Sequence, residues 1–252
     1  MGMRMVVAGG TGEVGKHVVA QARAAGHDVV PLSRSSGQDV VAGRGLAEAV
    51  AGADVVVDVL SVATTSAAKA TAFFRATTQH LLDAERTAGV GHHVALSIVG
   101  IDGETRGYYA GKVAQERLVE AGPVPWTVLR ATQFHEFAPQ MVRRTSVGPF
   151  VVVPAMRTST VAAAEVAAAL LALAEGAPRG RATDLRGPEE SELADLVRRW
   201  LAATGQRRRV LRVPLPGASG RRVRDGALVP GPGADRGRQT FEQWLTEAVA
   251  QR

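Results

Sequence analysis

The stretch Met5-Val6-Val7-Ala8-Gly9-Gly10-Thr11-Gly12-Glu13-Val14-Gly15 decides how this chain is read. An apolar run ends in glycines, and the segment Glu13–Ala25 then carries Val14, Val18, Val19 and Ala22 at helical spacing before stopping at Gly26. The glycines fit two overlapping patterns, Gly10-x-Gly12-x-x-Gly15 and Gly9-x-x-Gly12-x-x-Gly15. In either pattern, positions without a side chain let the backbone turn tightly and approach a pyrophosphate. That charge then rests at the N-terminus of the following helix, and the last glycine lets the helix pack closely on the sheet. A bare glycine triplet marks no more than a tight turn. Here the strand before it and the helix after it supply the context that dinucleotide binding requires. Gly9, Thr11, Gly12, Glu13, Val14 and Gly15 are therefore candidate cofactor-binding residues.

Beyond this turn the same alternation continues. His27–Leu32 reads as a strand, Leu46–Ala51 as a short helix and Asp54–Leu60 as a buried strand. Ala67–Ala88 is a long helix closed by Gly89, His93–Val99 a strand, Tyr108–Ala121 a helix and Trp126–Ala131 a strand. Val-rich strands alternating with helices predict a doubly wound parallel sheet buried on both faces. A third strand between Arg34 and Leu46 is expected but barely visible. On that count Val59-Leu60-Ser61 ends the fourth strand and Thr132-Gln133-Phe134 the sixth. Ligands bind at the carboxyl ends of such strands. Leu60 and Ser61 are accordingly assigned to the cofactor, and Thr132, Gln133 and Phe134 to the meeting point of nicotinamide and substrate.

After residue 132 the rhythm loosens. Val161–Glu175 and Glu190–Ala203 read as helices, Arg181–Arg186 and Arg209–Val213 as short strands, and Pro214–Arg238 as a Gly-, Pro- and Arg-rich loop. Gln239–Gln251 reads as a closing amphipathic helix. The expected organisation is a cofactor-binding domain over 1–150 and a small C-terminal α/β lobe over 151–252.

The 252 residues are 46% hydrophobic and 21% charged, which excludes a disordered or fibrous chain. No apolar run reaches the ~20 residues of a membrane span, and the N-terminus lacks the pattern of a signal peptide. A cytoplasmic protein with no membrane partner is expected. The absence of cysteine excludes disulfides, thiolate metal sites and cysteine nucleophiles. The net charge of +6 comes from the C-terminal part, notably Arg207–Arg209, Arg221, Arg222 and Arg224. Without interleaved aromatics or a binding motif, that excess predicts a solvated surface and no nucleic-acid partner. His92-His93 has no carboxylate or cysteine at ligand spacing, so no metal is expected. No Gly-x-Ser-x-Gly elbow supports hydrolase chemistry.

The end of the second strand bears on which dinucleotide is held. It reads Leu32-Ser33-Arg34-Ser35-Ser36, with no acidic residue before Asp39. An acid there would bind a ribose 2′-hydroxyl, whereas an arginine accommodates a 2′-phosphate. Arg34 offers a fork to phosphate and Ser33 and Ser35 offer hydroxyls, which favours NADP(H) over NAD(H). The chain has two tyrosines, Tyr108 and Tyr109, and one of its three lysines is Lys112. In a chain that otherwise uses arginine, a lysine four residues after a tyrosine is chemically pointed. On a helix the two share a face. The ammonium would lower the phenol pKa from ~10, making Tyr108 an acid/base near neutrality, and it could also hold the nicotinamide ribose.

Three segments, Gly9-x-x-Gly12-x-x-Gly15, Leu96-Ser97-Ile98-Val99-Gly100 and Tyr108-x-x-x-Lys112, resemble the short-chain dehydrogenase/reductase superfamily. With Val128-Leu129-Arg130-Ala131-Thr132-Gln133-Phe134, the chain resembles its atypical, NmrA-like branch of NAD(P)H-binding proteins over nearly its whole length. The resemblance implies a Rossmann domain with a small substrate lobe and the Tyr108/Lys112 pair as acid/base. It also implies Ser97 as the carbonyl-binding and nicotinamide-side serine, and Asp39 and Val40 near the adenine. Two features depart from the superfamily pattern: the neighbour of Ser97 is Ile98, and Ser97 precedes Tyr108 by only 11 positions. Phe134, His135 and Phe137 would line the substrate site, His135 as a hydrogen-bonded liner or a proton relay. The expected activity is hydride transfer between NADP(H) and a small carbonyl, enone or quinone-like substrate. The alternatives are a non-enzymatic NADP(H) sensor acting on a protein partner and a redox-neutral isomerase or lyase. A homodimer is among the assemblies that the sequence permits.

Overall fold

Valine-rich runs too short for helices alternate with longer segments of helical period, and each becomes the element its period dictates. The computed structural model describes residues 2–33 and 37–251. Its first elements are β1 (Arg4–Ala8), α1 (Gly15–Ala24), β2 (Asp28–Leu32), α2 (Leu46–Val50), β3 (Val55–Asp58) and α3 (Ala67–Ala88). β4 (His92–Ile98), α4 (Gly107–Ala121), β5 (Trp126–Ala131), α5 (Phe137–Thr145), β6 (Ser146–Val147), β7 (Phe150–Pro154) and β8 (Arg157–Thr158) follow. Then come α6 (Ala163–Ala174), β9 (Gly180–Arg181), β10 (Leu185–Arg186), β11 (Ser191–Glu192) and α7 (Leu193–Ala203). β12 (Arg209–Val213), α8 (Gly217–Arg224), β13 (Asp235–Arg236) and α9 (Phe241–Ala250) complete the chain. Among the described residues no helix is long and apolar enough to cross a membrane.

The chain divides into two compact units. One runs to Arg130 and takes up Ala164–Ala182, and the other holds Ala131–Ala163 and the chain from Thr183 onward. The sequence reading placed one boundary at 150, whereas the chain crosses between the units three times. The returning α6 segment is tied into the first unit by polar contacts. Gln21 Nε2 donates to the Ala164 carbonyl at 2.9 Å, and His27 Nε2 lies 2.9 Å from Glu175 Oε1.

In the first unit the strand order is β5-β4-β3-β1-β2, with β9 also paired to β5. β1 pairs in parallel with β2 and β3, and β3 pairs in parallel with β4. All four residues of β3 are buried, including Asp58, as expected for a sheet covered on both faces. One core cluster packs Val6, Ala8 and Val56 of the sheet against Leu46, Val50 and Leu81 of α2 and α3. Each valine or leucine of the cluster contributes roughly 1.5–3 kcal/mol on burial. Ser66 caps α3 by accepting from the Lys69 amide, and Gly89 ends the helix in the left-handed conformation at φ +72°.

The third strand expected between Arg34 and Leu46 is absent among the described residues. Asp39 and Arg44 form an isolated antiparallel bridge instead, closed by a 3.0 Å ion pair. Glycines at 37, 43 and 45 take left-handed conformations that interrupt any extended run. Leu60 and Ser61 therefore follow the third strand rather than the fourth, and Thr132 follows the fifth rather than the sixth.

In the second unit, β6, β7 and β12 form a three-stranded sheet in the order β12-β7-β6, and β8 pairs with β11. β10 pairs in parallel with β13 and, at Leu185, with Ala131. The loop expected over Pro214–Arg238 in fact contains α8 and β13. Gly220 makes α8 possible by close approach, since a Cβ there would meet the Leu215 carbonyl oxygen at 2.0 Å. The single strand expected over Arg181–Arg186 is two: β9 pairs with Thr127–Val128, and β10 starts again at Leu185. α9 begins with a capping box between Thr240 and Gln243.

Candidate functional site

The glycine turn after β1 is built by backbone geometry that only glycine satisfies. Gly9 sits at φ +86°, and a Cβ on Gly15 would lie 2.1 Å from the Gly9 carbonyl oxygen. The Gly12 amide donates to the Gly9 carbonyl at 2.9 Å, closing the turn. Thr11 and Gly12 are exposed, whereas Val14 and Gly15 are buried. No side chain caps α1, and its first turn has no acidic residue, so the helix start is open to an anion. Glu13, within the turn, is paired with Lys16 at 2.5 Å. A cradle that a side chain would fill, facing an uncapped helix N-terminus, fits a pyrophosphate.

Of the residues assigned to the adenosine side, Arg34 and Ser35 lie outside the described residues. Ser33 is half-buried, and its carbonyl accepts from the Gln38 amide at 3.3 Å. The Asp39 carboxylate accepts from the Ala42 amide and from Arg44. The Val40 side chain belongs to the core cluster of Val6, Leu32 and Leu81, and its carbonyl is 3.0 Å from His80 Nδ1.

At the end of β3 the chain turns on a buried carboxylate. Asp58 is 0% exposed, and its Oδ1 accepts from the Leu60 amide at 3.0 Å. The next residue, Ser61, is exposed, and its Oγ lies 3.0 Å from the Tyr108 hydroxyl of α4. Tyr108 and Lys112, one helical turn apart, share a partner in Phe74 of α3. The Tyr108 ring meets that of Phe74 edge-on at 5.5 Å, and the Lys112 ammonium lies 4.6 Å from its centroid, a cation–π contact. The helices come this close because position 111 is glycine: a Cβ there would lie 2.7 Å from both Ala70 backbone and the Phe74 ring.

Lys112 is only 3% exposed. Its Nζ donates to the Leu96 carbonyl at 2.6 Å and to Gln115 Oε1. Gln115 Nε2 in turn donates to Asp58 Oδ2 at 2.7 Å. Burial pulls the Lys112 pKa down to about 8, against the opposing pull of Asp58 and Glu116. The neighbouring Tyr109 phenol is pushed up to about 12 by burial, with Glu104 and Tyr108 adding to the shift. Tyr109 therefore stays protonated across the neutral range.

Ser97 is buried on β4, two residues beyond Ala95, which packs on Val119 of α4. Strand alternation places Ser97 on that same face, against Glu116. Glu116 and Arg130 form a two-bond pair at 2.8 and 2.6 Å, and Arg130 also binds Asp102 at 2.7 and 2.9 Å. Burial alone would raise the Glu116 carboxyl. The Arg130 guanidinium, with Ser97 and Arg181 contributing, holds it below the usual carboxylate range. This buried charge cluster ties the β4–α4 loop, through Asp102, to the end of β5.

Away from any ligand spacing, His93 has a carboxylate partner in Glu85 of α3. Both carboxylate oxygens lie 2.9 Å from His93 Nδ1, and both side chains are 0% exposed. Burial would lower the His93 pKa, but Glu85 outweighs it and raises it. Glu85 lies eight positions before His93 on another element, so no ligand spacing signalled the pair.

The remaining assigned residues lie in the second unit. Thr132 Oγ1 donates to the Ser159 carbonyl, and Gln133 Oε1 accepts from Thr158 at 2.7 Å. Phe134 bridges to Val161, and Phe137 opens α5 half-buried. His135 is 1% exposed, with Nδ1 2.8 Å from Thr160 Oγ1 and Nε2 3.0 Å from the Gln239 carbonyl. Its ring packs edge-on against Phe241 at 5.6 Å. Both nitrogens are thus engaged in structural contacts, as a liner's would be.

Sequence reasoning missed Asp58, Gln115 and Phe74. Asp58 had a signal, an acid inside the apolar run Val55-Val56-Val57-Asp58-Val59-Leu60. Gln115 and Phe74 had none.

A protein-family model described as NAD(P)H-binding matches residues 9–176. Solved structures of similar fold include a nucleoside-diphosphate-sugar epimerase from Staphylococcus aureus, with 16% identity over 96% of this chain and 99% of the other and a TM-score of 0.71. A short-chain dehydrogenase/reductase superfamily protein from Agrobacterium tumefaciens with bound NAD is 19% identical over 98% and 96% of the two chains, with a TM-score of 0.67. An NADPH-dependent quinone oxidoreductase from Escherichia coli is 16% identical over 97% and 99%, with a TM-score of 0.66. No curated protein matches the sequence. The solved structures share the doubly wound fold, and the family match assigns residues 9–176 to NAD(P)H-binding proteins.

Proposed function

The chain belongs to the NAD(P)H-binding family, and on that premise we propose that it is an oxidoreductase acting on a small carbonyl, enone or quinone-like substrate, with NADP(H) preferred over NAD(H). The observation that carries the reading is the placement of Tyr108 and Lys112 on one face of α4 against Phe74, with the Ser61 hydroxyl on the Tyr108 phenol. The glycine turn and the open start of α1 would hold the pyrophosphate. Ser33, Arg34 and Ser35 would meet the 2′-phosphate, a preference that rests on the acid-free sequence after β2. When bound, the cofactor supplies or accepts the hydride.

Tyr108 gives its phenolic proton to the substrate oxygen in the direction of reduction and takes it back in oxidation. Ser61 stabilises the phenolate left behind through the 3.0 Å contact between the two oxygens. The Lys112 ammonium, held in a nearly dry environment, lowers the cost of that negative charge.

The test is purified protein with NADPH or NADH and a panel of quinones, ketones and enones, followed by loss of the reduced-nicotinamide absorbance. Turnover with NADPH on at least one class supports the reading. Tight NADPH binding with no turnover on any acceptor contradicts it and favours a sensor of the NADP(H) redox state. Conversion of a substrate with no net change in cofactor redox state also contradicts it and favours an isomerase or lyase.

A further inference from the structure

The amide of Gln115 has only one chemically consistent orientation. A carboxylate accepts hydrogen bonds and an ammonium only donates them. With Asp58 on one side and Lys112 on the other, Nε2 must face the carboxylate and Oε1 the ammonium. The second oxygen of Asp58 holds the Leu60 amide, and Leu60 is followed by Ser61, whose hydroxyl meets Tyr108. One buried carboxylate at the end of β3 therefore fastens two things at once: the lysine on α4, through a glutamine, and the strand end that carries the tyrosine's hydroxyl partner. The Asp58, Lys112 and Gln115 side chains are essentially removed from water.

We propose that Asp58 and Gln115 are positioning residues for the site: Asp58 fixes the Gln115 amide, and that amide aims the Lys112 ammonium along the face of α4 that carries Tyr108. This assignment rests on the proposed use of Tyr108 and Lys112 with NADP(H). It adds residues outside the Tyr108-x-x-x-Lys112 motif on which that reading was built.

The arrangement also sets the charge on the lysine. Asp58 from β3 and Glu116 from α4 are the acidic groups that favour its protonation, while burial opposes it. Beyond Asp58 lies His93 of β4, which feels the same carboxylate and is paired with Glu85 of α3. From α3 itself, Phe74 presents its ring face to the ammonium, and from β4 the Leu96 carbonyl accepts from it. An opposite charge this deep in a protein shifts a neighbour by about one pKa unit or more. Asp58→Asn keeps the size and an acceptor oxygen but removes the charge. Gln115→Met keeps the length but removes both ends of the relay.

The chain has only three lysines, Lys16, Lys69 and Lys112, so protein made with lysine labelled at Cε with carbon-13 gives three resonances, and each can be titrated in the absence of cofactor. Lys112 should titrate near 8. Asp58→Asn should lower its midpoint by about a unit or more. Gln115→Met should change its chemical shift and weaken NADPH binding roughly tenfold, the equivalent of one lost hydrogen bond to a charged group. If Asp58→Asn does not fold, Gln115→Met carries the test alone. Unchanged Lys112 shift and midpoint in the variants that fold, with NADPH affinity at the wild-type level, would overturn the proposal. A shifted Lys112 titration in a protein that binds NADPH but turns over no acceptor would uphold the relay while refuting the proposed activity.

Discussion

Lys112→Met separates the electrostatic cost of the buried lysine from everything else in the fold. The Lys112 pKa is about 8 in the folded protein against an ordinary value of 10.5. At ~1.36 kcal/mol per unit, that gap corresponds to about 3 kcal/mol of destabilisation while the group is charged in both states. The sign follows from a lysine whose folded pKa is depressed. At neutral pH both folded and unfolded chains carry the proton, and the penalty is fully present. As pH rises through 8 the folded state releases its proton first, and the penalty disappears by about 10.5. The unfolded chain binds more protons in that window, so stability rises with pH. Methionine removes this dependence. It also strands the Leu96 and Gln115 carbonyls, at about 1–3 kcal/mol each, which offsets the gain at neutral pH and leaves absolute stabilities close. The discriminating quantity is therefore the slope. Urea unfolding followed by circular dichroism at about pH 7 and about pH 10 should show the wild type gaining about 2–3 kcal/mol more than the variant over that interval. Tyr109, pushed up to about 12, opposes both proteins equally above its ordinary range and cancels in the comparison. Parallel slopes in the two proteins would refute the argument that Lys112 is held as a costly buried cation.

Gly111→Val should destabilise the fold by about 1–3 kcal/mol through overpacking, because the new Cβ meets Ala70 backbone and Phe74 at 2.7 Å. A thermal melt should fall by roughly 2–4 °C for each kcal/mol, and an unchanged melting temperature would contradict the close α3–α4 contact. Arg130→Met leaves buried Glu116 with only the 3.2 Å contact from Arg181, at a cost of up to about 3–5 kcal/mol near neutrality. Glu116 is held low in the native fold, so its contribution is present at neutral pH and lost as pH falls through that lowered value. The variant's deficit in thermal stability should therefore shrink as pH falls below 4.5; a deficit that grows in acid would contradict it. Arg34→Ala should weaken NADPH binding by about 10- to 100-fold while leaving NADH binding unchanged, since a charged hydrogen bond contributes about 1.5–3 kcal/mol. Equal losses for both cofactors in a fluorescence titration would count against a 2′-phosphate contact.

Local signals carried most of the first unit. The glycine turn, the glycine-terminated α3 at Ala67–Ala88 and β5 at Trp126–Ala131 coincide with their sequence readings, because each is written in adjacent residues as a period bounded by glycine or a strand-length apolar run. The missing third strand shows the limit of counting strands by position, since glycines around Asp39 turn that segment into a bridge. α8 escaped because Gly217-Ala218-Ser219-Gly220-Arg221-Arg222-Val223-Arg224 has one strongly apolar residue and no period. α5 was hidden by Pro139, which a helix tolerates in its first turn. Spacing put Tyr108 and Lys112 on one face, but a face does not fix a rotamer. The ammonium's contacts with Leu96 and Gln115 are set by tertiary packing. Gln115 and Asp58 meet across 57 positions of sequence, and a neutral amide announces nothing about its partner.

The most direct test of the account is hydride transfer from NADPH carrying deuterium at both nicotinamide C4 positions, measured in wild type and Tyr108→Phe with a ketone or enone acceptor found by the panel. The account predicts one deuterium on the product carbon in wild type. In Tyr108→Phe it predicts a loss of turnover of about 10²–10⁴-fold, the usual worth of a positioned acid/base, with NADPH still bound. Full turnover in Tyr108→Phe, or a product without deuterium, would contradict it.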